Sequence, residues 1–192
     1  MSEKTIYEQL RAAGMSEAGA CGMLGNMWAE SGLKANIAQR GMTKLTDEQY
    51  TEKFDRQPEM CYKDAVGYGL CQWTYHTRKE KLRQFASYWG VSVGAEDMQL
   101  SFAVEELKTD HAALWKMLCS TDDLYTATAD ICMEFERPAV NNIATRYKFA
   151  QEAQKRVAVA SDEKANNDSL DDIISALSAI LDRLKAYAKG ES

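Results

Sequence analysis

The sequence predicts a mainly α-helical fold, and three observations predict it. Apolar residues recur three and four positions apart along most of the chain. Serine or threonine stands ahead of several of these stretches, twice with glutamate three residues later. Glycine or proline stands just beyond their ends, where a helix stops. With 192 residues, 45% hydrophobic and 27% charged, the chain can bury one substantial core and carry a small appendage.

Thr5 and Glu8 form a T-x-x-E capping box for a first helix, which Gly14 can end. Ser16 can cap a second helix carrying Ala20, Leu24, Met27 and Glu30 to a stop at Gly32. Gly19, Gly22 and Gly25 recur along it every third residue. They lack the G-x-G-x-x-G spacing of a dinucleotide site and read as a small-residue face for close helix packing. Residues 33–75 lose the helical period. There Gly41, Gly67 and Gly69 predict loops and a small hairpin, with a short helix near TDEQYTEKF. Thr77 and Glu80 repeat the capping box ahead of Leu82, Phe85, Ala86 and Trp89, and Gly90 closes that helix. Leu100, Ala103, Val104 and Leu107 mark another. Thr121 opens a helix with Leu124, Thr128, Ile131 and Phe135 that ends before Pro138, and a last domain helix runs from about Asn142 to Val159.

Residues 160–168, ASDEKANND, read as a linker between a domain at 1–159 and a terminal amphipathic helix at 169–190. Leu170, Ile173, Leu177, Ile180, Leu184 and Tyr187 form a heptad seam under three heptads long. Such a helix either packs on its own domain or joins copies of the chain into a homo-oligomer through residues 170–187.

Several function classes are excluded early. A net charge of −6 argues against nucleic acid as a partner. No run of eighteen apolar residues is present, so no membrane partner is expected. The N-terminal MSEKTIYEQLRAAG lacks the apolar core of a signal peptide, which predicts synthesis and retention in a cytoplasm. Five cysteines at 21, 61, 71, 119 and 132 form an odd set without metal spacing and read as small buried thiols.

The stretch GNMWAESGL places Glu30 in the final turn of the second helix. There the helix dipole disfavours a further anion, and burial against Met27 or Trp28 disfavours it again. A glutamic acid kept protonated in a cleft is what glycosidic cleavage needs, because the leaving oxygen must take a proton. The plain alternative is an exposed Glu30 paired with Lys34. DAVGYGLCQWT then sets Gly67 and Gly69 beside Tyr68, Gln72, Trp73 and Thr74. Glycines admit close approach of a ligand to the backbone, and an aromatic ring and an amide can stack on and hydrogen-bond a sugar.

A helix ending in Glu-Ser, followed by G-Y-G-L-x-Q-W-T, resembles the phage tail lysozyme family of the lysozyme-like superfamily. The Glu-Ser pair and the G-L-x-Q segment are also similar to goose-type lysozymes and lytic transglycosylases. The resemblance covers roughly residues 5–155. It includes GMSEAGACGMLGNMWAESGL, Arg78 and Lys79 of HTRKEKLRQFA, and FERPA at 135–139. It implies a lysozyme-like helical domain with a small irregular or β segment, followed by a C-terminal helix. It implies too that the substrate is bacterial peptidoglycan, cut between muramic acid and glucosamine with Glu30 at the position of the catalytic acid. Cys71 falls at the variable position of the motif and is assigned no chemistry. The enzyme is expected to reach the wall as a released endolysin or within a virion tail.

Asp64 is the first candidate for a second catalytic group, because it adjoins the glycine segment; Asp55 and Asp47 follow. One of them can orient water on the far face of the sugar. Alternatively no second carboxylate is needed, and the muramyl 6-hydroxyl attacks as in a lytic transglycosylase. Tyr68, Gln72, Trp73 and Thr74 are the expected substrate-binding residues. Glu136 and Arg137 read as a structural ion pair. A cysteine peptidase would need a thiolate paired with His76 or His111, and no cysteine has that context. His76 with Glu80 is too small a set for a metal, and no metal or organic cofactor is implied. A glycan-binding phage protein without turnover is the non-enzymatic alternative. Deleting residues 168–192 is expected to leave a folded, active domain of lower mass in solution. An unchanged mass by light scattering counts against association through the terminal helix.

Overall fold

A computed structural model describes residues 1–159, 170, 174–175 and 177–178. The chain forms two compact units, residues 1–154 and 155–192. In the second unit every described residue is helical, and Leu170, Ile174 and Leu177 are exposed. The rest of the expected linker and heptad seam, and with it the oligomer, lies outside the described residues.

The first unit is mainly helical, as the periodicity predicts. Helix α1 (Glu3–Ala13) is followed by α2 (Glu17–Ser31), α3 (Asp47–Arg56) and α4 (Glu59–Tyr62). Then come α5 (His76–Trp89), α6 (Glu96–Asp110), α7 (Ala112–Leu118) and α8 (Leu124–Asp130). A π-helix (Ile131–Glu136) continues α8, and residues 143–154 form the last helix of this unit, α9. Ser16 caps α2 by accepting from the Gly19 amide, and Gly32 ends it in a left-handed turn. The two expected capping boxes are corrected. Ser2, not Thr5, caps α1, and Tyr75 precedes α5 without a side-chain cap. The box that does form is Thr46 with Gln49 at α3. Likewise Asp123, not Thr121, caps α8.

Helix α2 is the axis of the domain. Every residue from Ala18 to Met27 is buried, so the helix has no wet face and is surrounded by its neighbours. Its three glycines are the reason the neighbours fit. A Cβ at Gly19 would overlap the Leu118 carbonyl at the end of α7. One at Gly22 would crowd Ala127 of α8 at 3.1 Å, and one at Gly25 would lie 2.5 Å from the Arg146 carbonyl oxygen and 2.7 Å from Ala150 Cβ on α9. The small-residue face thus seats three helices against one.

The expected hairpin is present in minimal form. Tyr68 bridges to Trp73 and to Ala38, with the turn closed by the Gln72 amide donating to the Gly69 carbonyl at 3.1 Å. Gly69 has φ +78°, and a side chain there would overlap the buried Gln99 amide. Gln99 anchors this loop, accepting from the Leu70 amide at 2.9 Å while donating to Ala35 and Val93 carbonyls at 2.7 and 2.6 Å. Gly25→Ala is expected to cost about 1–3 kcal/mol by overpacking the α2–α9 contact. Urea unfolding checks this as a lowered midpoint with unchanged slope.

Candidate active site

Glu30 lies one residue before the end of α2. Its neighbour Ser31 donates to the Met27 carbonyl at 3.0 Å and the Leu70 carbonyl at 2.9 Å, tying the helix end to the 67–74 loop. Two cavities of about 580 and 610 Å³ meet there, and Glu30, Gln39 and Gln72 line both. The first extends over Thr74, Tyr75, Arg78 and Glu136, the second over Trp28, Lys34 and Arg40.

Glu30 has a counter-charge, though not the Lys34 of the plain alternative. Arg146 on α9 donates from Nη2 to Glu30 Oε1 at 2.5 Å and from Nη1 to Asn26 Oδ1 at 3.0 Å. Asn26, buried on α2, donates in turn to the Gly22 and Thr128 carbonyls. The guanidinium is therefore aimed by a partner that is itself fixed at both ends. The opposite charge beside Glu30 therefore comes from α9 rather than from Lys34.

A second carboxyl faces the same cavity. Glu136 ends the π-helix, a form in which one extra residue per turn re-aims the side chains that follow. Its Oε1 is sealed from solvent and has no hydrogen-bond partner, while the residue keeps part of its surface on the cavity. Burial pushes this carboxyl up to about 8, and the charge of Glu30 pushes the same way; Arg78, Arg146 and the Cys71 thiol oppose them. The expected Glu136–Arg137 ion pair is replaced by a different contact: Arg137 donates from Nε to the Glu134 carbonyl at 3.0 Å.

Arg78 holds the π-helix in place. It donates to both oxygens of Glu106 at 2.6 and 2.7 Å and to the Phe135 carbonyl at 3.2 Å, with its guanidinium 4.7 Å from the Phe135 ring centre. Glu106 also accepts from Trp73 Nε1 at 3.0 Å. One buried carboxylate thus joins the glycine loop, α5 and the segment carrying Glu136. Among the described residues, four non-glycines have left-handed φ, and three of them, Ala65, Gln72 and Arg137, line the first cavity. Such strain costs on the order of 1–3 kcal/mol each and gathers at functional sites.

The other expected site residues divide. Gln72 and Thr74 line the cleft. Tyr68 and Trp73 do not: both are fully buried, Tyr68 sharing a hydrogen bond with Thr51 at 2.7 Å and Trp73 packing on Phe102. Their place is the loop's foundation. Asp64 lines neither cavity; it accepts from buried Lys79 at 2.7 Å, from Tyr50 at 2.8 Å and from the Val66 amide at 3.0 Å. Asp55 accepts from Ser92 and the Val93 amide, and Asp47 from the Ala38 amide. All three aspartates are occupied with local structure. Burial pushes the Cys21 thiol up to about 12 and raises Cys71 as well, the opposite of an activated nucleophile. Arg146, Asn26 and Gln39 were missed, since nothing local in the sequence couples them to Glu30.

The site is thus a helix-end carboxyl tied through Ser31 to a glycine loop and opening on two cavities, in a mainly helical domain of lysozyme-like class. The chain belongs to the phage tail lysozyme family, whose sequence profile matches residues 2–157. Membership makes it a phage-associated protein with a lysozyme-like action on bacterial peptidoglycan. None of the curated proteins compared with the chain matches it.

Glu136 also gives the fold a pH signature. Its folded value, raised from the ordinary 4.5 to about 8, means that the native state keeps a proton the unfolded chain has released. Stability from this group is full below the ordinary glutamate value and is lost as pH rises through about 8. The thermal midpoint is expected to fall across that window, and Glu136→Gln to flatten the decline, as differential scanning calorimetry can read.

Proposed function

We propose that this protein is an N-acetylmuramidase, cleaving the β-1,4 bond from N-acetylmuramic acid to N-acetylglucosamine with Glu30 as general acid. The observation that carries this reading is the position of Glu30 at the junction of the two cavities, beside Gln39 and Gln72. A glycan threaded from one cavity to the other passes its linking oxygen over that carboxyl. Both cavities fall within the volumes usual for ligand sites. The two glutamine amides can meet sugar hydroxyls and acetamido groups without adding charge. Glu30 gives its proton to the leaving oxygen as the anomeric C–O bond breaks, and water completes the hydrolysis.

A lytic transglycosylase is the second reading, favoured by the engagement of Asp47, Asp55 and Asp64 in structural bonds away from both cavities. With none of these three aspartates there to hold water, the muramyl 6-hydroxyl becomes the nucleophile. Mass spectrometry of digested peptidoglycan separates the two, since a 1,6-anhydro product lacks the mass of one water. Glu30→Gln is expected to fold and to lose about 10²–10⁴ in rate. Wall clearing at the wild-type rate by that variant removes Glu30 from the mechanism.

A further inference from the structure

We propose that Glu136 is a positioning residue acting through Glu30: the two carboxyls hold one proton between them, and this is the proton delivered to the glycosidic oxygen. The inference rests on Glu30 as general acid and adds the source of its proton. Both carboxyls line one cavity, Glu30 from the end of α2 and Glu136 from the end of the π-helix. Their surroundings differ in a way that separates storage from delivery. Arg146 is clamped to Glu30 at 2.5 Å, whereas Glu136 Oε1 is buried and receives no hydrogen bond. An oxygen sealed from water with no donor disfavours the charged form, and the Cys71 thiol is only a weak donor to the carboxyl, so the proton rests on Glu136 until it is used.

The groups facing Glu136 come from four elements: Glu30 from α2, Arg78 from α5, Arg146 from α9 and the Cys71 thiol from the glycine loop. Both arginine charges act on Glu136, but their hydrogen bonds go to other groups. Arg78 is held by both oxygens of Glu106, and Arg146 is held by Glu30 and Asn26. Glu30 in turn faces Arg146 and Glu136 and lies near the thiols of Cys71 and Cys132. Two carboxyls thus line one cavity, one hydrogen-bonded by Arg146 and the other without an arginine hydrogen bond on its sealed oxygen.

The proton count balances. An O–H bond breaks on Glu136 and one forms on Glu30; Glu30 then protonates the leaving oxygen as its C–O bond breaks. The attacking hydroxyl forms the new C–O bond and releases its proton to the pair, which is restored. The singly protonated pair is the working state, so activity ends on the alkaline side where the last proton leaves. Without the Glu136 carboxyl there is no second store, and the alkaline limb moves to lower pH.

The test is the first-order rate of peptidoglycan solubilisation by the full chain between about pH 4 and about pH 9. For Glu136→Gln the ratio of the rate at about pH 5 to that at about pH 8 is expected to rise by about tenfold or more. Glu136→Asp, which keeps the acid, is expected to retain a higher alkaline limb than the glutamine variant. A profile of wild-type shape in Glu136→Gln, at full or uniformly reduced rate, overturns the proposal. Should that variant fail to fold, carboxyl ¹³C titration of the wild type and of Glu30→Gln decides. Linked titration of the two groups, altered at Glu136 by Glu30→Gln, supports the shared proton, and an unaltered Glu136 titration overturns it. Full activity of Glu30→Gln removes the general-acid reading, while the ¹³C titration still reports on the pair. An inactive Glu30→Gln beside a wild-type profile for Glu136→Gln removes only the shared proton.

Discussion

The approach of α7, α8 and α9 to α2 is the constraint on which the rest of the domain depends. Backbone lies where side chains would otherwise be, at Gly19, Gly22 and Gly25. That closeness has a chemical result as well as a packing one. It brings Arg146 of α9 within reach of Asn26 and Glu30, and it brings the π-helix that continues α8 alongside the end of α2. A wider spacing would keep the helices and separate the charges.

Around the cleft, polar groups fall into two sets with different duties. Lys79 with Asp64 and Tyr50, and Arg78 with Glu106 and Trp73, are buried networks in which each charge meets an opposite one. Such sets fix loops and helices relative to one another; their removal would leave a charge stranded in the interior. Glu30 and Glu136 differ because together they have more acid than base to answer it. That imbalance, kept beside an open groove, is the feature a structural network avoids.

Much of the helical framework was legible because helix starts, stops and apolar spacing are local signals. Ser16, Gly14, Gly32 and Gly90 act as their types predict. The start of α5 misled because Thr77 and Glu80 offer a capping box inside a helix that begins one residue after Tyr75. Glu30 and Gln72 were legible from motif and position, and both line the cleft. Tyr68, Trp73 and Asp64 were not: aromatic and acidic side chains beside a glycine loop can face inward or outward, and tertiary partners decide. Trp73 turns in because Glu106 accepts its N–H, and Asp64 because it meets the buried Lys79 ammonium. Glu136 was visible in FERPA, yet its isolation from Arg137 depends on a left-handed φ of 50° that no local pattern announces.

The single wide turn before Arg137 has an evolutionary corollary. Each residue advances an α-helix by about 100° of rotation, so deleting one residue from Ile131–Glu136 would regularise the hydrogen bonding and swing Glu136 away from the groove. The tidier helix and the working cleft are alternatives at this spot. Length variation here would be filtered by chemistry rather than by folding, the reverse of what holds for an ordinary surface helix.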